Sequence, residues 1–172
     1  KDVKIQIEFN PNKVKGYRLI GYENRLLNDE DFIDDTIDAG ELGAGHKVTA
    51  LYEIILLDDN SKFLKDVPKL KYTAKNKNNV IDNNELFTVK FRYKKPSATE
   101  SIEMVHIQND AITGASQDMQ FATAVALFGM KLRKSQFTKE VKKATILQLA
   151  QNGRGEDKDG YRAEFIRLVK SI

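Results

Sequence analysis

The sequence predicts an α+β fold, in which an antiparallel β-sandwich over residues 1–108 precedes a three-helix portion over residues 109–172. Two observations carry this prediction. About six segments before residue 108 alternate apolar with polar residues, and no crossover helix separates them, which favours antiparallel pairing. After residue 108 the apolar spacing changes to the three- and four-residue intervals of helices. We expect the helices to pack on the sandwich or on one another as a subdomain.

The first part of the chain contains six predicted strands. The segments 3–9 and 87–93 alternate most cleanly, since every second residue is apolar. The weakest strand is 63–73, where Pro68 demotes the middle to a sheet edge or a break. The full set of predicted strands is 3–9, 14–23, 47–57, 63–73, 87–93 and 101–108.

The first predicted helix spans residues 119–133, and Ser116 precedes it as its expected N-cap. Its apolar residues recur at helical spacing, so we expect one face to be buried. Gly129 on that face is expected to allow close packing, at a propensity cost of about 1 kcal/mol relative to Ala. The predicted buried face consists of Ala122, Val125, Ala126, Gly129 and Leu132.

Two further helices are predicted towards the end of the chain. Thr138 is the expected N-cap of the first of them, and Gly153 ends it. Asp157 or Asp159 is expected to cap the last helix. The predicted buried positions are Val141, Ile146, Leu149 and Ala150 in one helix, and Tyr161, Phe165, Leu168, Val169 and Ile172 in the other.

The net charge is small but unevenly distributed. Lys and Arg total 28 against 25 Asp and Glu, which gives +3. Residues 1–60 carry 7 basic and 13 acidic side chains, whereas residues 61–172 carry 21 and 12. The acidic excess is concentrated in residues 29–41, and we expect this stretch to be a solvated loop, as most charge runs are.

A basic face is predicted at the strand 87–93, because Lys90 and Arg92 share one side of it and Lys94 follows. The aromatic residues of this strand point to the other side. Proteins that bind single-stranded nucleic acids place aromatic side chains beside the cations. We therefore predict a solvated sheet face and no nucleic-acid partner.

The motifs of the chain predict no catalytic residue, no cofactor and no metal ion. The absence of Cys excludes disulfides, thiolate nucleophiles and Cys-ligated zinc. Residues 40–47 come close to a phosphate-binding loop but lack a Lys directly after the second Gly. Residues 155–166 fail as a calcium loop, since Gly and Ile occupy its first and last ligand positions. His46 and His106 alone are too few for a zinc site.

Four motifs together resemble a known family. They are residues 17–25 (YRLIGYENR), 38–46 (DAGELGAGH), 49–53 (TALYE) and 160–165 (GYRAEF). In this order they are similar to the C-terminal region of bacterial proteins built around a von Willebrand factor type A domain. The resemblance covers essentially the whole chain. Since the sequence opens directly in a strand-like pattern, we also expect it to be part of a longer protein.

The resemblance implies an extracytoplasmic location in the cell envelope, because members of this family look like exported lipoproteins. It implies that the adjacent type A domain is a partner within the same chain, and that the parent meets the membrane only through a lipid anchor. The Asp-x-Ser-x-Ser metal motif of the type A domain is absent here, so no metal site is carried over. The family assigns no catalytic role to these motifs.

We expect a non-enzymatic accessory module that binds an unidentified protein partner. Large polar-tipped side chains in the family motifs are its candidate interaction residues, each able to support either the fold or a partner. Two alternatives stay open: an envelope glycan hydrolase that uses the acidic loop 29–41, and a carbohydrate-binding sandwich that uses exposed tyrosines. The candidate residues are Tyr17, Tyr22, Glu23, Arg25, His46, Tyr161 and Arg162.

Overall fold

A computed structural model describes residues 1–64, 84–109 and 113–171, and it confirms the α+β fold class. The strands are β1 (Lys4–Phe9), β2 (Val14–Ile20), β3 (Leu51–Leu56), β4 (Glu85–Tyr93) and β5 (Ile102–Asn109). The helices are α1 (Gln117–Leu132), α2 (Lys143–Asn152) and α3 (Tyr161–Ser171). Short 3-10 helices lie at Glu23–Arg25, Asp29–Phe32 and Gln136–Thr138.

The chain divides into two compact units. The first, Lys1–Ala111, contains all the described strands and is called the β-unit below. The second, Ile112–Ile172, contains α1, α2 and α3 and is called the helical unit. The sequence places the boundary after residue 108.

The strands of the β-unit form two antiparallel sheets. One has three strands in the order β1-β4-β5, and the other pairs β2 with β3. The ring of Phe9 on β1 lies 4.5 Å from that of Tyr17 on β2 and 5.7 Å from that of Tyr52 on β3, so aromatic contacts join the sheets. The predicted antiparallel pairing is confirmed, and the sandwich itself stays a prediction.

Five of the six predicted strands are present in the part of the chain that the structure describes. The remaining segment, 63–73, lies almost entirely outside the described residues. The strand predicted for 14–23 ends early at Ile20, because Gly21 and Tyr22 both adopt left-handed backbone conformations with φ of 76° and 60°. Such residues turn the chain out of an extended path.

A compact apolar core holds the helical unit together. It consists of Ala124, Phe128, Ile146, Ala150, Ile166 and Val169, with one pair from each helix. Phe165 adds edge-to-face contacts, with its ring 5.3 Å from Phe121 and 5.5 Å from Phe128. Of the helices described, none has the length and apolar character needed to traverse a bilayer.

The predicted buried faces of α1 and α3 are partly wrong. Val125 and Leu132 of α1 are exposed, and so are Tyr161 and Leu168 of α3. Apolar residues surround most of the circumference of α1, so the spacing alone did not identify the face that packs. The prediction for α2 is confirmed at Ile146 and Ala150.

The caps of the helices follow the sequence in two of three cases. The Ser116 hydroxyl accepts a hydrogen bond from the backbone N–H of Met119, and Asp157 accepts the backbone N–H groups of Arg162 and Ala163 at 2.9 and 2.8 Å. The prediction for Thr138 is wrong. This residue is buried in the 3-10 helix Gln136–Thr138, and its hydroxyl donates to the carbonyl of Ser135.

Close packing in the helical unit occurs at Gly153, whereas the expectation for Gly129 is wrong. A Cβ added at Gly153 would lie 2.5 Å from the backbone N of Phe121 and 2.6 Å from the carbonyl O of Gln117. These are backbone atoms of α1, which cannot move aside as a flexible side chain can. A Cβ at Gly129 would meet nothing within 4 Å.

We predict opposite effects for Ala at these two glycines. Gly153→Ala should lower the free energy of unfolding by about 2 kcal/mol, because the methyl group overlaps the backbone of α1. Gly129→Ala should raise it by about 1 kcal/mol, because Ala is the better helix former at an open site. Urea denaturation of both variants checks this. A Gly153→Ala variant as stable as the wild type would contradict the packing described here.

Candidate functional site

The acidic connection between β2 and β3 is held against the three-stranded sheet by buried cations. Lys4 of β1 is only 3% exposed, and its Nζ donates to the carbonyl oxygens of Asp31 at 2.8 Å and Asp34 at 2.5 Å. Phe32 lies between Asp31 and Asp34 in the sequence and is buried. The Arg92 guanidinium lies over its ring, 5.8 Å from the ring centroid. A buried ammonium group is costly unless it is hydrogen-bonded, so these carbonyls fix the path of the connection.

A second set of contacts forms at the end of β4. Lys94 is 7% exposed, and its Nζ lies 2.8 Å from the Asp2 carboxylate and 2.6 Å from the carbonyl oxygen of Asp35. Arg92 pairs with the Asp35 carboxylate at 3.2 Å, and the Ser101 hydroxyl donates to the same carboxylate. Asp35 therefore joins the acidic connection, β4 and the residue preceding β5.

Two expectations from the sequence are wrong at this point. The stretch 29–41 is not simply a solvated loop, because three of its residues accept hydrogen bonds from buried or partly buried cations. The basic face of β4 is not solvated either, since Arg92 and Lys94 are directed into these contacts. Charge patterning identified both partners but did not show that they pair with each other.

The carboxylates with shifted pKa values in the β-unit are all stabilised as anions. The pKa of Asp35 is lowered by the hydroxyl and backbone N–H of Ser101, with Arg92 adding to the effect. The Lys94 ammonium lowers the pKa of Asp2, and Thr36 lowers that of Asp34 by hydrogen bonding. A general acid in a glycosidase needs a raised pKa. These three groups thus serve as fixed negative charges.

Three carboxylates of the β-unit lie close enough to share a cation. Oxygens of Asp2, Asp38 and Glu41 are all within 4.8 Å of one another. Hard cations such as Ca²⁺ prefer ligands of this kind. The ammonium of Lys94 pairs with Asp2 at 2.8 Å, and the N-terminal ammonium lies 4.0 Å from the Glu41 carboxylate, so cations of the chain already accompany two of the three carboxylates.

The anchored connection displays apolar side chains on its outer surface. We call residues 22–33 the display segment. Leu26 and Ile33 are each 68% exposed, and Tyr22 and Leu27 are also exposed. Its path is fixed by the buried Phe32 and by a capping box in which the backbone N–H of Asn28 donates to the Asp31 carboxylate at 3.0 Å. An ordered backbone thus holds large apolar groups in solvent.

The display segment contains three of the residues predicted to be interaction sites. Tyr22 precedes the 3-10 helix Glu23–Arg25. The backbone of Glu23 begins this helix, and Arg25, which ends it, is exposed. The more exposed apolar residues, Leu26 and Ile33, were missed by the sequence reasoning. A signal was available, since apolar residues flank an acidic run with no strand or helix pattern to bury them.

Tyr17 and His46 lie elsewhere in the β-unit, and both are exposed. Tyr17 is 61% exposed and is supported from beneath by Phe9 at 4.5 Å, with the rings tilted by 35°. Burial, with a smaller effect of Tyr17, raises the pKa of the neighbouring Tyr52. His46 lies in the loop before β3, where its backbone N–H donates to the carbonyl of Gly43.

Arg162 supports the helical unit, whereas Tyr161 beside it is 74% exposed. The guanidinium donates to the carbonyl of Gly153 at 2.6 Å and to the Asp118 carboxylate at 2.5 Å, and it lies 4.8 Å from the Phe121 ring centroid. It therefore joins the starts of α1 and α3 to the end of α2.

The loop between α2 and α3 lines a crevice of about 350 Å³ beside Arg162. Asp157 contributes to its wall. Burial alone would raise the pKa of this carboxyl, but the backbone N–H groups of Arg162 and Ala163 outweigh that effect and lower it. The Asp157 carboxylate is therefore used to cap α3 and is not a free reactive group in the crevice.

Together these features define a chain with two antiparallel sheets, a three-helix unit and exposed apolar surface on an anchored loop. The family described as "Uncharacterized protein YfbK, C-terminal" matches residues 1–172, and the chain belongs to it. It is 44% identical to the "Uncharacterized protein YfbK" of Escherichia coli (strain K12) over 171 residues, which are 99% of this chain and 29% of that relative's length. No solved structure matches the chain.

We predict that Lys4→Met destabilises the β-unit. The substitution removes two charge-assisted hydrogen bonds in a buried position, and the free energy of unfolding should fall by about 2 kcal/mol. Lys15 is the matched control, because its Nζ also donates to two backbone carbonyls but the residue is exposed. Lys15→Met should cost less than about 0.5 kcal/mol in the same urea titration. Equal losses in both variants would contradict the role assigned to Lys4.

Acid should weaken the fold through Asp35. Its pKa in the folded chain lies below the ordinary value of 3.8, so the unfolded chain takes up a proton first as the pH falls. The contribution of this group is complete above its ordinary pKa and is lost as the pH drops through the folded value. Denaturation titrations below about pH 5 should show a smaller decline in stability for Asp35→Asn than for the wild type.

Ser101→Ala tests the cause of the shift. It removes the hydroxyl that donates to Asp35 and leaves the carboxylate in place. The pH at which the contribution of Asp35 is lost should therefore move upward towards the ordinary value, as followed by the NMR titration of the Asp35 carboxyl. An unchanged titration curve would show that the hydroxyl is not the main cause.

Proposed function

We propose that this chain is a non-enzymatic accessory module that binds protein, and that its partner is the von Willebrand factor type A domain adjacent to it in a bacterial cell-envelope protein. The observation that carries this proposal is the display segment, which holds Leu26 and Ile33 in solvent on an anchored backbone. Exposed apolar groups of this size on an ordered surface are typical of protein-binding sites.

The anchoring of the display segment favours binding over accidental exposure. A flexible loop would lose conformational entropy on binding, whereas a segment already fixed by Lys4 and Phe32 loses little. The surrounding acidic residues, Asp29 and Glu30, are exposed and would form a polar rim around the apolar centre. A partner surface with an apolar centre and basic margins fits this arrangement.

The size of the family relative supports a partner within the same protein. The chain covers 29% of the length of the Escherichia coli relative, so most of that protein is other sequence. The motifs at residues 17–25 and 160–165 resemble those that follow a type A domain. The envelope location and the lipid anchor of the parent rest on the same resemblance.

A second candidate is carbohydrate binding at Tyr17. The observation that favours it is the exposed ring of Tyr17 supported from beneath by Phe9, since sugars stack on exposed aromatic faces. Isothermal titration with peptidoglycan fragments tests this candidate. Heat that is lost in Tyr17→Ala but retained in Tyr22→Ala would support it, and the absence of heat with the wild type would contradict it.

The display segment is tested in the full-length parent by hydrogen exchange. Leu26→Asp combined with Ile33→Asp should increase amide exchange at the facing surface of the neighbouring domain by at least about tenfold, because charged groups cannot fill its apolar contacts. The stability of this chain should change by less than about 0.5 kcal/mol, since both residues are exposed.

The matched control for this test is Leu168→Asp, which places the same charge on an exposed apolar position of α3. It should leave exchange in the neighbouring domain unchanged. If the double variant also leaves that exchange unchanged, the adjacent domain does not bind the display segment and the proposal fails.

A further inference from the structure

The outer strand β5 has the features of an unprotected sheet edge. It pairs with β4 on one side, and on the other side no strand lies among the residues that the structure describes. Its register with β4 is continuous from Phe87 opposite Gln108 to Tyr93 opposite Ile102. A regular edge strand of this length presents a row of backbone N–H and C=O groups to another strand.

The side chains of β5 are apolar on both faces of the sheet. Ile102 and Met104 lie on one face, Val105 and Ile107 lie on the other, and all four are between 39% and 58% exposed. Natural edges usually carry charged side chains, especially Lys, or Pro, which prevent pairing. The strand has no Lys or Pro, and its Glu103 lies 3.7 Å from Arg92 on β4.

We propose that β5 pairs in antiparallel orientation with β5 of a second copy, which joins two three-stranded sheets into one six-stranded sheet. The edge requires an extended partner with apolar side chains on both faces, and β5 is itself such a segment. This inference goes beyond the proposed function and does not depend on the display segment.

The symmetry of the pairing fixes its register. A two-fold axis perpendicular to the sheet leaves each face of the sheet on the same side in both copies. Residues that lie opposite each other must therefore both have even numbers or both have odd numbers. Axes through Val105 and through His106 each overlap the two strands over about seven residues, and only the first avoids placing the imidazole of His106 opposite its own copy. With the axis at Val105, this residue faces its own copy. Met104 of one copy lies opposite His106 of the other, and Glu103 lies opposite Ile107.

This register avoids electrostatic conflict. Neither Glu103 nor His106 faces the same residue of the other copy, so no like charges are opposed. The β-unit, residues 1–111, carries 17 basic and 19 acidic side chains, so two β-units have little net charge to repel each other. Pairing through one strand buries a small area, and we expect weak, concentration-dependent association.

Sedimentation equilibrium of the chain, at concentrations from about 10 to 500 µM, tests the proposal. The wild type should pass from monomer to dimer over this range. Val105→Arg should remain a monomer, because it places two cations at the two-fold axis. Val125→Arg is the matched control on the exposed surface of α1 and should dimerise like the wild type.

A cross-linking experiment tests the register. The chain has no native Cys, so Val105→Cys introduces a single thiol that should form an intermolecular disulfide under mild oxidation. His106→Cys should cross-link at least about tenfold more slowly, because it faces Met104 and not itself. The double variant Leu26→Asp, Ile33→Asp should dimerise normally, which separates this inference from the proposed function.

Three results would overturn the proposal. They are a wild-type chain that stays monomeric at the highest concentration, a dimer that survives Val105→Arg, and a Val105→Cys variant that does not cross-link. In the first case a strand from another protein or from elsewhere in the parent would be the occupant of the edge.

Discussion

Pairing of buried cations with the acidic connection is the constraint on which the β-unit depends. Lys4 and Lys94 are nearly inaccessible to solvent, and neither could remain charged there without hydrogen-bond acceptors. The connection between β2 and β3 supplies those acceptors, mostly as backbone carbonyls. A segment without helix or strand pattern therefore has a fixed path, because another path would remove both carbonyl acceptors from the Lys4 ammonium and the Asp35 carbonyl from that of Lys94.

This arrangement separates the roles of the charged and the apolar residues in the connection. Carboxylates and carbonyls on the inner side, such as those of Asp34 and Asp35, are used to hold the segment in place. In the described part of the chain, Leu26 and Ile33 on the outer side are each 68% exposed and are available to another surface. The connection therefore holds Leu26 and Ile33 in solvent while its backbone is fixed by hydrogen bonds to Lys4 and Lys94.

The sequence allowed the fold class and most elements to be predicted, and it failed where tertiary context decides. Period-two alternation found β1 and β4 within two residues, although the burial of β4 is intermediate at every position. The packing face of α1 was wrong, since its apolar residues leave no polar side to orient it. Arg92 and Lys94 were assigned to solvent because their partners, Asp35 and Asp2, are distant in sequence. Composition alone does not show that Leu26 is exposed, but its position beside an acidic run, without a strand or helix pattern to bury it, indicates this.

The contacts of the acidic connection also have a consequence for the order of folding. Asp35 meets Arg92 across 57 residues, and Asp2 meets Lys94 across 92. Closing such long loops is slow and must precede any stabilisation from the contacts that they create. During synthesis, residues 22–41 emerge from the ribosome after Lys4 but well before β4, so Asp35 stays without Arg92 and Lys94 until residue 94 has been added. In that interval Leu26 and Leu27 lie next to a run of acidic residues in the nascent chain. Repulsion between the negative charges of neighbouring nascent chains then opposes their aggregation.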